Sequence, residues 1–338
     1  MAGAGIAFPD EAMAVVNNPA VAAAVNGRAE VGLALYRPRS NYWSTESTEN
    51  GQNGTFTIGP NAIDAESQNL FVPSFASSWQ WQEDSAFAVA LYGRTGIDTE
   101  YQGGTATFDP DGPGPEPVGT YPGTLGDGDV KTKLTQALLD LAYAKQLTEQ
   151  VSLGVSAVLA AQSFSISGVS TLAPLTYTFV SSGGSVMPQN LSGNGADKSY
   201  GAGIKAGVHF QWNPQLSLGL MYQTKIYMSE VSSYSDLFPS GGNFDIPADF
   251  KAGLSWHMND SLVLSLDMEW IFYSGVDALS NTLEDLFQCP TAGAGGTDLN
   301  SCLGGSHGGG LGWKDDTSYK IGLDWKLGPK WSLRAGLA

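Results

Sequence analysis

The sequence has no long hydrophobic run. Nowhere do about 18 apolar residues follow one another, so no transmembrane helix is predicted. Charged residues are scarce as well, at 14% of the 338 residues, and the net charge is −17. This acidic balance argues against nucleic acid as a partner, because binding to phosphates depends on Lys and Arg. We attribute the excess of acidic residues to long, soluble loops.

Cysteine and histidine are also rare. The only cysteines, Cys289 and Cys302, lie in one Gly-rich stretch, and His307 follows them. Two thiols and one imidazole are too few for a metal site, so we predict a loop-closing disulfide in an oxidising compartment. The other histidines are His209 and His257, and no Gly-x-Ser-x-Gly elbow accompanies His307, which argues against an enzyme. No motif implies a cofactor.

A secretory signal is missing at the start of the chain, because Met1 to Gly5 has neither a basic region nor an apolar core. An exported protein needs one. We expect either that the signal was removed or that the true start lies upstream.

What the sequence does have is strict alternation of apolar and polar residues. Residues 200–210 and 216–226 alternate around a tight turn at Trp212–Gln215, which predicts a β-hairpin. Strands in soluble proteins run about five or six residues, whereas a membrane-spanning strand needs roughly 9–11, as here. The polar face carries Gly, Ser and single charges, which suits the lumen of a barrel. We therefore interpret this hairpin as transmembrane.

The same pattern recurs in about eleven segments, and short turns alternate with long polar stretches such as residues 44–68, 102–130 and 172–197. This asymmetry is typical of outer-membrane barrels, which have short periplasmic turns and long extracellular loops. Tryptophans cluster near the short turns, as an interfacial girdle requires. They are Trp79, Trp81, Trp212, Trp256, Trp325 and Trp331. We predict an all-β fold, an antiparallel transmembrane β-barrel over residues 28–338, in the bacterial outer membrane.

Residues 1–27 do not alternate and are predicted to form a plug. Residues 9–16 have proline and acids where a helix would begin, and the helix would end at Asn17–Pro19. A segment this short cannot be a domain, so it must pack against something larger. We expect it to lie inside the lumen.

Three groups of motifs resemble the FadL-like (OmpP1/FadL/TodX) outer-membrane transporters of long-chain fatty acids and aromatic hydrocarbons. They occur in the family's order along the whole chain. They are Ala2–Gly5 with Asp10–Ala12 and Asn18–Ala20, Tyr92–Gly96 with Thr99–Tyr101, and Trp313–Gly322 with Trp331–Gly336.

The resemblance implies a barrel of about 14 strands that is plugged by an N-terminal hatch. It makes residues 1–27 the hatch, with Phe8, Asp10, Asn18 and Pro19 as hatch residues. Because only about eleven segments alternate, we expect about three C-terminal strands to be missing. The family's mature chains also begin upstream of the position of Met1, so we expect the hatch tip to be missing as well. An unpaired strand edge in lipid is costly, so we expect the chain as given not to fold stably.

The resemblance also implies a route: passive uptake of a hydrophobic compound captured from outside, followed by lateral release into the membrane. In this family, an inward kink of the third strand forms the opening. Here the alternation of that strand fails at Gly93, Arg94 and Gly96, and glycine in a strand marks a bulge or bend. We expect the kink there, with Phe8 or Asn18 nearby.

Charged residues on the inward face are candidates for ligand contact. They are Asp140, Lys205, Lys225, Lys251, Asp267, Glu269, Lys320, Asp324 and Arg334. Most are expected to pair across strands and fill the lumen. If one of them meets a ligand carboxylate, Lys225 or Arg334 is the natural candidate, since Arg binds carboxylates bidentately.

The alternative function is a general diffusion porin. Porins keep an open lumen without a small N-terminal plug, so residues 1–27 argue against it. The expected partners are a hydrophobic small molecule and outer-membrane lipid or lipopolysaccharide, without nucleic acid, and we expect a monomer.

Overall fold

The computed structural model describes residues 1–25, 27–52, 55–66, 69–109 and 117–338. Three of the predicted segments extend beyond this part of the chain. Asn26 of the predicted plug lies outside the described residues, as do residues 53–54 and 67–68 of the first predicted loop and residues 110–116 of the second.

Strands dominate the described residues. In chain order they are β1 (Arg28–Tyr36), β2 (Asn41–Ser44), β3 (Thr57–Ile58), β4 (Asn61–Asp64), β5 (Leu70–Gln82), β6 (Ser85–Tyr101), β7 (Thr105–Phe108), β8 (Gly119–Pro122), β9 (Val130–Gln146), β10 (Val151–Ser167), β11 (Asp197–Asn213), β12 (Leu216–Gln223), β13 (Tyr227–Met228), β14 (Asp249–Asn259), β15 (Leu262–Ile271), β16 (Asp316–Gly328) and β17 (Trp331–Leu337).

One antiparallel sheet contains all the long strands, in the order β1-β5-β6-β9-β10-β11-β12-β14-β15-β16-β17, and β13 adds to the far end of β11. These eleven strands are the eleven alternating segments of the sequence. The predicted fold class is confirmed, because alternation at period two places one row of side chains on each face of such a strand.

Further short strands lie within the predicted loops 44–68 and 102–130 and just before the first of them. β2 pairs with β4, and β3, β7 and β8 form a three-stranded sheet. These strands have two to four residues, so they leave no periodic signal in a stretch rich in Ser, Thr, Asn and Gly.

Helices are short. They are α1 (Ala14–Asn17), α2 (Tyr177–Ser181), α3 (Pro239–Gly242), α4 (Asp277–Ser280) and α5 (Leu283–Leu286), with 3₁₀ turns at Pro19–Ala23, Ser170–Leu175, Ser232–Tyr234, Tyr273–Gly275 and Leu299–Ser301. The helix predicted over residues 9–16 therefore forms only from Ala14. Within the described residues, no helix has the length and hydrophobicity to cross a bilayer.

The outward face of the sheet is apolar. On β1, for example, Val31, Leu33 and Leu35 are 84%, 70% and 62% exposed. An exposed apolar surface of this kind needs an apolar partner, and a bilayer supplies it. The six tryptophans of the predicted girdle are also exposed and lie next to the short turns.

The inward face carries small residues, and the N-terminal segment (residues 1–25) crosses it. A Cβ atom on Gly154 would lie 2.3 Å from the nitrogen of Ala20, and one on Gly219 would lie 2.6 Å from the carbonyl oxygen of Ile6. Glycine is therefore required where the backbone of the segment touches the wall. Alanines of β5, β6 and β9 extend this surface toward Val15 and Val21.

At the end with long loops, residues 168–196, 229–248 and 272–315 form a loop cap with its own apolar core. Phe164 at the end of β10 packs with Tyr234, Phe238 and Phe244. A second cluster joins Val130 and Ile166 of β9 and β10 to the cysteine loop. There the Cys289 and Cys302 sulfur atoms form a disulfide with an S–S distance of 2.04 Å.

Candidate functional site

The pairing of β6 with β9 is interrupted at Arg94. Gly93 lies opposite Ala137 and Thr95 lies opposite Gln136, so Arg94 is an extra residue with no partner on β9. A bulge of this kind bends the strand and redirects a side chain. The guanidinium of Arg94 turns into the lumen, where both of its terminal nitrogens donate to Oδ2 of Asp249 at 3.2 Å.

The pairing of β6 with β5 stops just before the bulge, at Phe75 and Leu91. Beyond that pair the ladder between the two strands does not continue, and side chains of β5 lie against glycines of β6. A Cβ on Gly93 would lie 2.5 Å from Cγ1 of Val72, and one on Gly96 would lie 2.9 Å from Cδ1 of Leu70.

The wall carries a pocket of about 740 Å³ at this interruption, which we call the wall opening. Its lining is mainly apolar and comes from β1, β5, β6 and β9. It includes Val31, Tyr36, Leu70, Phe71, Val72, Pro73, Phe75, Leu91, Tyr92, Gly93, Arg94, Gly96, Gln136 and Ala137. Because Val31 and Phe71 belong to the outward face, the wall opening faces the bilayer.

An inner cavity of about 320 Å³ lies behind the wall opening, between the N-terminal segment and the loop cap. Its apolar lining includes Val16, Ile97, Leu134, Met221, Phe244, Ile271, Tyr273, Leu279, Leu311 and Trp313. Burial raises the pKa of Tyr273, so its hydroxyl stays neutral.

The inner cavity and the wall opening share Tyr92, Gly93, Arg94 and Gln136 as lining residues. The two spaces are therefore separated only by this short stretch of β6 and its neighbour on β9. A molecule that leaves the cavity sideways has to pass these four residues.

The cations of the inner cavity are all paired with carboxylates. Besides the pair of Arg94 with Asp249, Lys205 contacts Asp140 at 2.6 Å, and Glu269 binds Lys251 at 3.1 Å and Lys320 at 2.5 Å. These contacts confirm the expected pairing of lumen charges at these positions. They leave the cavity without an unpaired cation among its described lining residues.

Lys205 also connects the N-terminal segment to the wall. Its Nζ donates to the carbonyl oxygen of Val16 at 2.8 Å and to the hydroxyl of Tyr92 at 3.3 Å. Val16 is therefore the residue of the segment beside the bulge. We expected Phe8 or Asn18 there, but the structure places both elsewhere.

Asn18 anchors the segment to β11. Its amide nitrogen donates to the carbonyl oxygens of Val208 at 2.9 Å and Ile6 at 3.1 Å, while its Oδ1 accepts from the Ala20 nitrogen. Pro19 follows and is buried. The ring of Phe8 packs edge-on against that of His257.

Arg334 binds the segment rather than lining the cavity. It contacts Asp10 and Glu11 at 3.0 Å each and Asp324 at 2.5 Å. Lys225 pairs with Asp245 at 3.4 Å and also lies outside the lining. The structure thus brings neither proposed carboxylate contact to the inner cavity, because facing inward does not fix a residue's height along the barrel.

Two residues of the cavity were missed by the sequence reasoning. Gln223 and Asp249 lie directly opposite each other on β12 and β14, and each is 1% exposed. The available signal was their place in the inward rows of the alternation. Gln223 is uncharged and Asp249 lies at the end of a strand, so neither stood out in the sequence as a candidate for ligand contact.

A separate apolar groove of about 860 Å³ lies between the loop cap and the small sheet of β3, β7 and β8. Phe56, Phe108, Leu172, Leu175, Met187 and Phe287 are among its lining residues. In the described part of the chain, no group of three or more His, Cys, Asp or Glu side chains is arranged to hold a metal ion.

Comparisons with known proteins agree with this architecture. Residues 120–338 match a family model described as outer membrane protein transport protein (OMPP1/FadL/TodX). A search of the curated proteins finds no match.

Among solved structures, the toluene transporter TbuX of Ralstonia pickettii is similar at 20% identity and a TM-score of 0.61, covering 99% of this chain and 83% of that one. The toluene transporter TodX of Pseudomonas putida is similar at 16% identity and a TM-score of 0.59, with the same coverage. A FadL homologue of Pseudomonas aeruginosa is similar at 17% identity and a TM-score of 0.56, covering 98% and 76%. At these identities the likeness shows the fold.

Proposed function

Because the chain belongs to the OMPP1/FadL/TodX family of outer membrane transport proteins, we propose that it takes up small, neutral, hydrophobic compounds and releases them sideways into the bilayer. It is an outer-membrane β-barrel channel for hydrophobic uptake and not an enzyme. The proposal concerns the route and the kind of compound.

The shared lining of the inner cavity and the wall opening carries the proposal. Tyr92, Gly93, Arg94 and Gln136 belong to both spaces, at the point where the ladder between β5 and β6 has ended. From β6 to β17, by contrast, neighbouring strands of the sheet are joined by backbone hydrogen bonds, which a ligand would have to break.

Lateral release also suits the energetics of a hydrophobic compound. Each CH₂ group moved from an apolar site into water costs about 0.8 kcal/mol. A compound that passes from the inner cavity through the wall opening reaches the acyl chains without crossing water. A route into the periplasm would expose the whole molecule.

Size and charge favour a neutral ring compound over a fatty acid. A cavity of about 150 Å³ is enough to hold benzene, so the 320 Å³ of the inner cavity has room for a substituted ring. A carboxylate would find its cations already paired with Asp140, Asp249 and Glu269. The named transporters TbuX and TodX, which carry toluene, support the same class.

The two remaining parts take complementary roles. The apolar groove beside the loop cap captures the compound from outside. The N-terminal segment is the hatch, which closes the periplasmic side through contacts of Asn18 with β11 and of Asp10 with Arg334. Contact of the outer face with lipopolysaccharide remains a prediction.

A reversible disulfide across the wall opening tests the route. The Cβ of a residue at 93 would lie 3.8 Å from the Cβ of Val72, and this is the usual separation in disulfides. We expect the double variant Val72→Cys/Gly93→Cys to lose uptake of labelled toluene into proteoliposomes when oxidised. Reduction should restore uptake in the same preparation.

Two controls accompany this experiment. The native channel treated with the same oxidant and reductant accounts for any effect through Cys289 and Cys302. Labelled palmitate in parallel tests the compound class, because toluene should be taken up in preference. Equal uptake by the oxidised and reduced double variant would remove the wall opening from the mechanism.

A further inference from the structure

Two buried polar atoms in the inner cavity have no hydrogen-bond partner. They are the amide nitrogen of Gln223 and the Oδ1 of Asp249. Both residues line the cavity, and each is 1% exposed. Buried donors and acceptors are normally satisfied, and leaving one unpaired costs free energy. Among the described residues that line the inner cavity, they are the only buried side-chain atoms without a partner, so one donor and one acceptor are available there to a ligand.

The strand register sets the distance between these two groups. Gln223 ends β12, Asp249 begins β14, and the two are direct cross-strand partners. Side chains at such positions point to the same face, with Cβ atoms about 5 Å apart. A single oxygen atom between the two side chains would partner both.

Arg94 holds the carboxylate of Asp249 in place. Both terminal nitrogens of Arg94 bind Oδ2, so Oδ1 is the oxygen left available. Because Arg94 neutralises the charge of Asp249, the free oxygen can accept a hydrogen bond from a neutral donor without a second cation nearby.

We propose that Gln223 and Asp249 form a subsite that recognises the hydroxyl group of a neutral, ring-sized hydrophobic compound. The hydroxyl oxygen accepts the amide hydrogen of Gln223, while its own hydrogen is donated to Oδ1 of Asp249. The ring occupies the apolar part of the cavity beside Phe244 and Trp313. This rests on the proposed function and narrows its substrate class to phenols and comparable alcohols.

Other polar groups fit this pair less well. A carboxylate cannot donate to Asp249, and the cations among the described lining residues are already paired. An ether or ketone accepts from Gln223 but leaves Asp249 unpaired, and a bare hydrocarbon leaves both groups unpaired. Unlike these groups, a hydroxyl supplies one acceptor and one donor on a single atom.

Binding of matched ligands to the folded channel in detergent, purified from the complete gene product, tests the subsite. Equilibrium dialysis with labelled p-cresol, p-xylene and p-methylanisole compares a hydroxyl with a methyl group and with a methyl ether of similar shape. In the native protein, p-cresol should bind more tightly than p-methylanisole by about tenfold, as expected for one hydrogen bond to a charged group.

Two variants remove the two halves of the subsite. In Gln223→Leu and in Asp249→Asn, the ratio of the p-cresol Kd to the p-xylene Kd should rise about tenfold. Asp249→Asn keeps the shape and an oxygen for Arg94, so it also serves if Gln223→Leu does not fold. Gln211→Leu changes an amide on β11 away from the inner cavity and should keep the native ratio.

The outcomes distinguish a failure of the subsite from a failure of the proposed function. If p-xylene and p-cresol bind but their ratio is the same in all variants, the subsite is overturned and the proposed function stands. The same holds if p-methylanisole matches p-cresol in the native protein. If neither p-xylene nor p-cresol binds the native protein, the proposed function is overturned and the subsite with it.

Discussion

Two strand pairs of the same sheet show how a barrel wall is closed or left open. β10 and β11 pair without a shift from Val151–Phe210 to Phe164–Asp197. β5 and β6 pair only from Gln82–Ser85 to Phe75–Leu91, although β5 extends to Leu70 and β6 extends to Tyr101. Both pairs are built from alternating sequences of similar length.

The difference lies in a few residues near the open end. β5 contains Pro73, which has no N–H to donate, and β6 contains Gly93, Arg94 and Gly96. The glycines leave space beside Val72 and Leu70, and the extra residue Arg94 shifts the register. Alternation alone thus predicts a strand, while its local exceptions decide where the wall is permeable.

Filling the wall opening should give the largest effect. In Gly93→Val/Gly96→Val the new side chains should fill the wall opening, because a Cβ at position 93 would already contact Val72 and one at position 96 would contact Leu70. The double variant should still fold, since Val favours strands, and uptake of labelled toluene should fall to that of protein-free vesicles.

The matched control places the same residue type on the closed wall. Ala157→Val/Ala161→Val adds bulk to exposed, outward positions of β10 and should leave uptake as in the native channel. Native uptake by the Gly93→Val/Gly96→Val variant would mean that the difference between the two strand pairs has no role in transport.

Adding bulk to the inner face of the closed wall, where the N-terminal segment packs, should have the next largest effect. In Gly154→Val the new Cβ would lie 2.3 Å from the Ala20 nitrogen, so the N-terminal segment has to move, and overpacking of this kind costs about 1–3 kcal/mol. We expect a higher ion conductance in planar bilayers because the plug is displaced. Ala157→Val, on the outer face of the same strand, is the control. Unchanged conductance would show that the segment does not seal the lumen.

Opening the disulfide should have the smallest effect on transport. Cys289→Ser/Cys302→Ser removes a closure worth about 3 kcal/mol in the chain-entropy model, and the cap above β9 and β10 should then be cleaved faster by added protease. Toluene uptake should change little, because the wall opening lies between β5 and β6. If the unsubstituted protein shows two titratable thiols after it is unfolded without a reductant, the disulfide is contradicted.

The sequence predicts the strands well and the cavity poorly, for a physical reason. Alternation is local, so Val31 to Leu35 can be placed on the outer face from their spacing alone. The contact of Arg94 with Asp249 joins residues 155 positions apart and depends on the curvature of the sheet. β6 and β14 are five steps apart along it, and no local pattern encodes that approach.

The predicted site residues also divide into those that a local pattern identifies and those whose position depends on the folded sheet. Gly93, Arg94 and Gly96 were found because they break a local pattern. Lys225 and Arg334 were selected for facing inward, yet their height along the barrel places them against Asp245 and Asp10 rather than in the cavity.

The N-terminal segment also constrains the order in which the protein can assemble. The nitrogens of Gly5 and Ile6 bind Asp267, 262 and 261 positions later, and Arg334 reaches back 324 positions to Asp10. Contacts of such long sequence separation form late, since their loops must close first. Residues 1–25 are therefore synthesised before the strands that hold them, yet they are among the last to reach their native position. Until β15 and β17 are in place, the assembling barrel lacks the side chains that hold its plug.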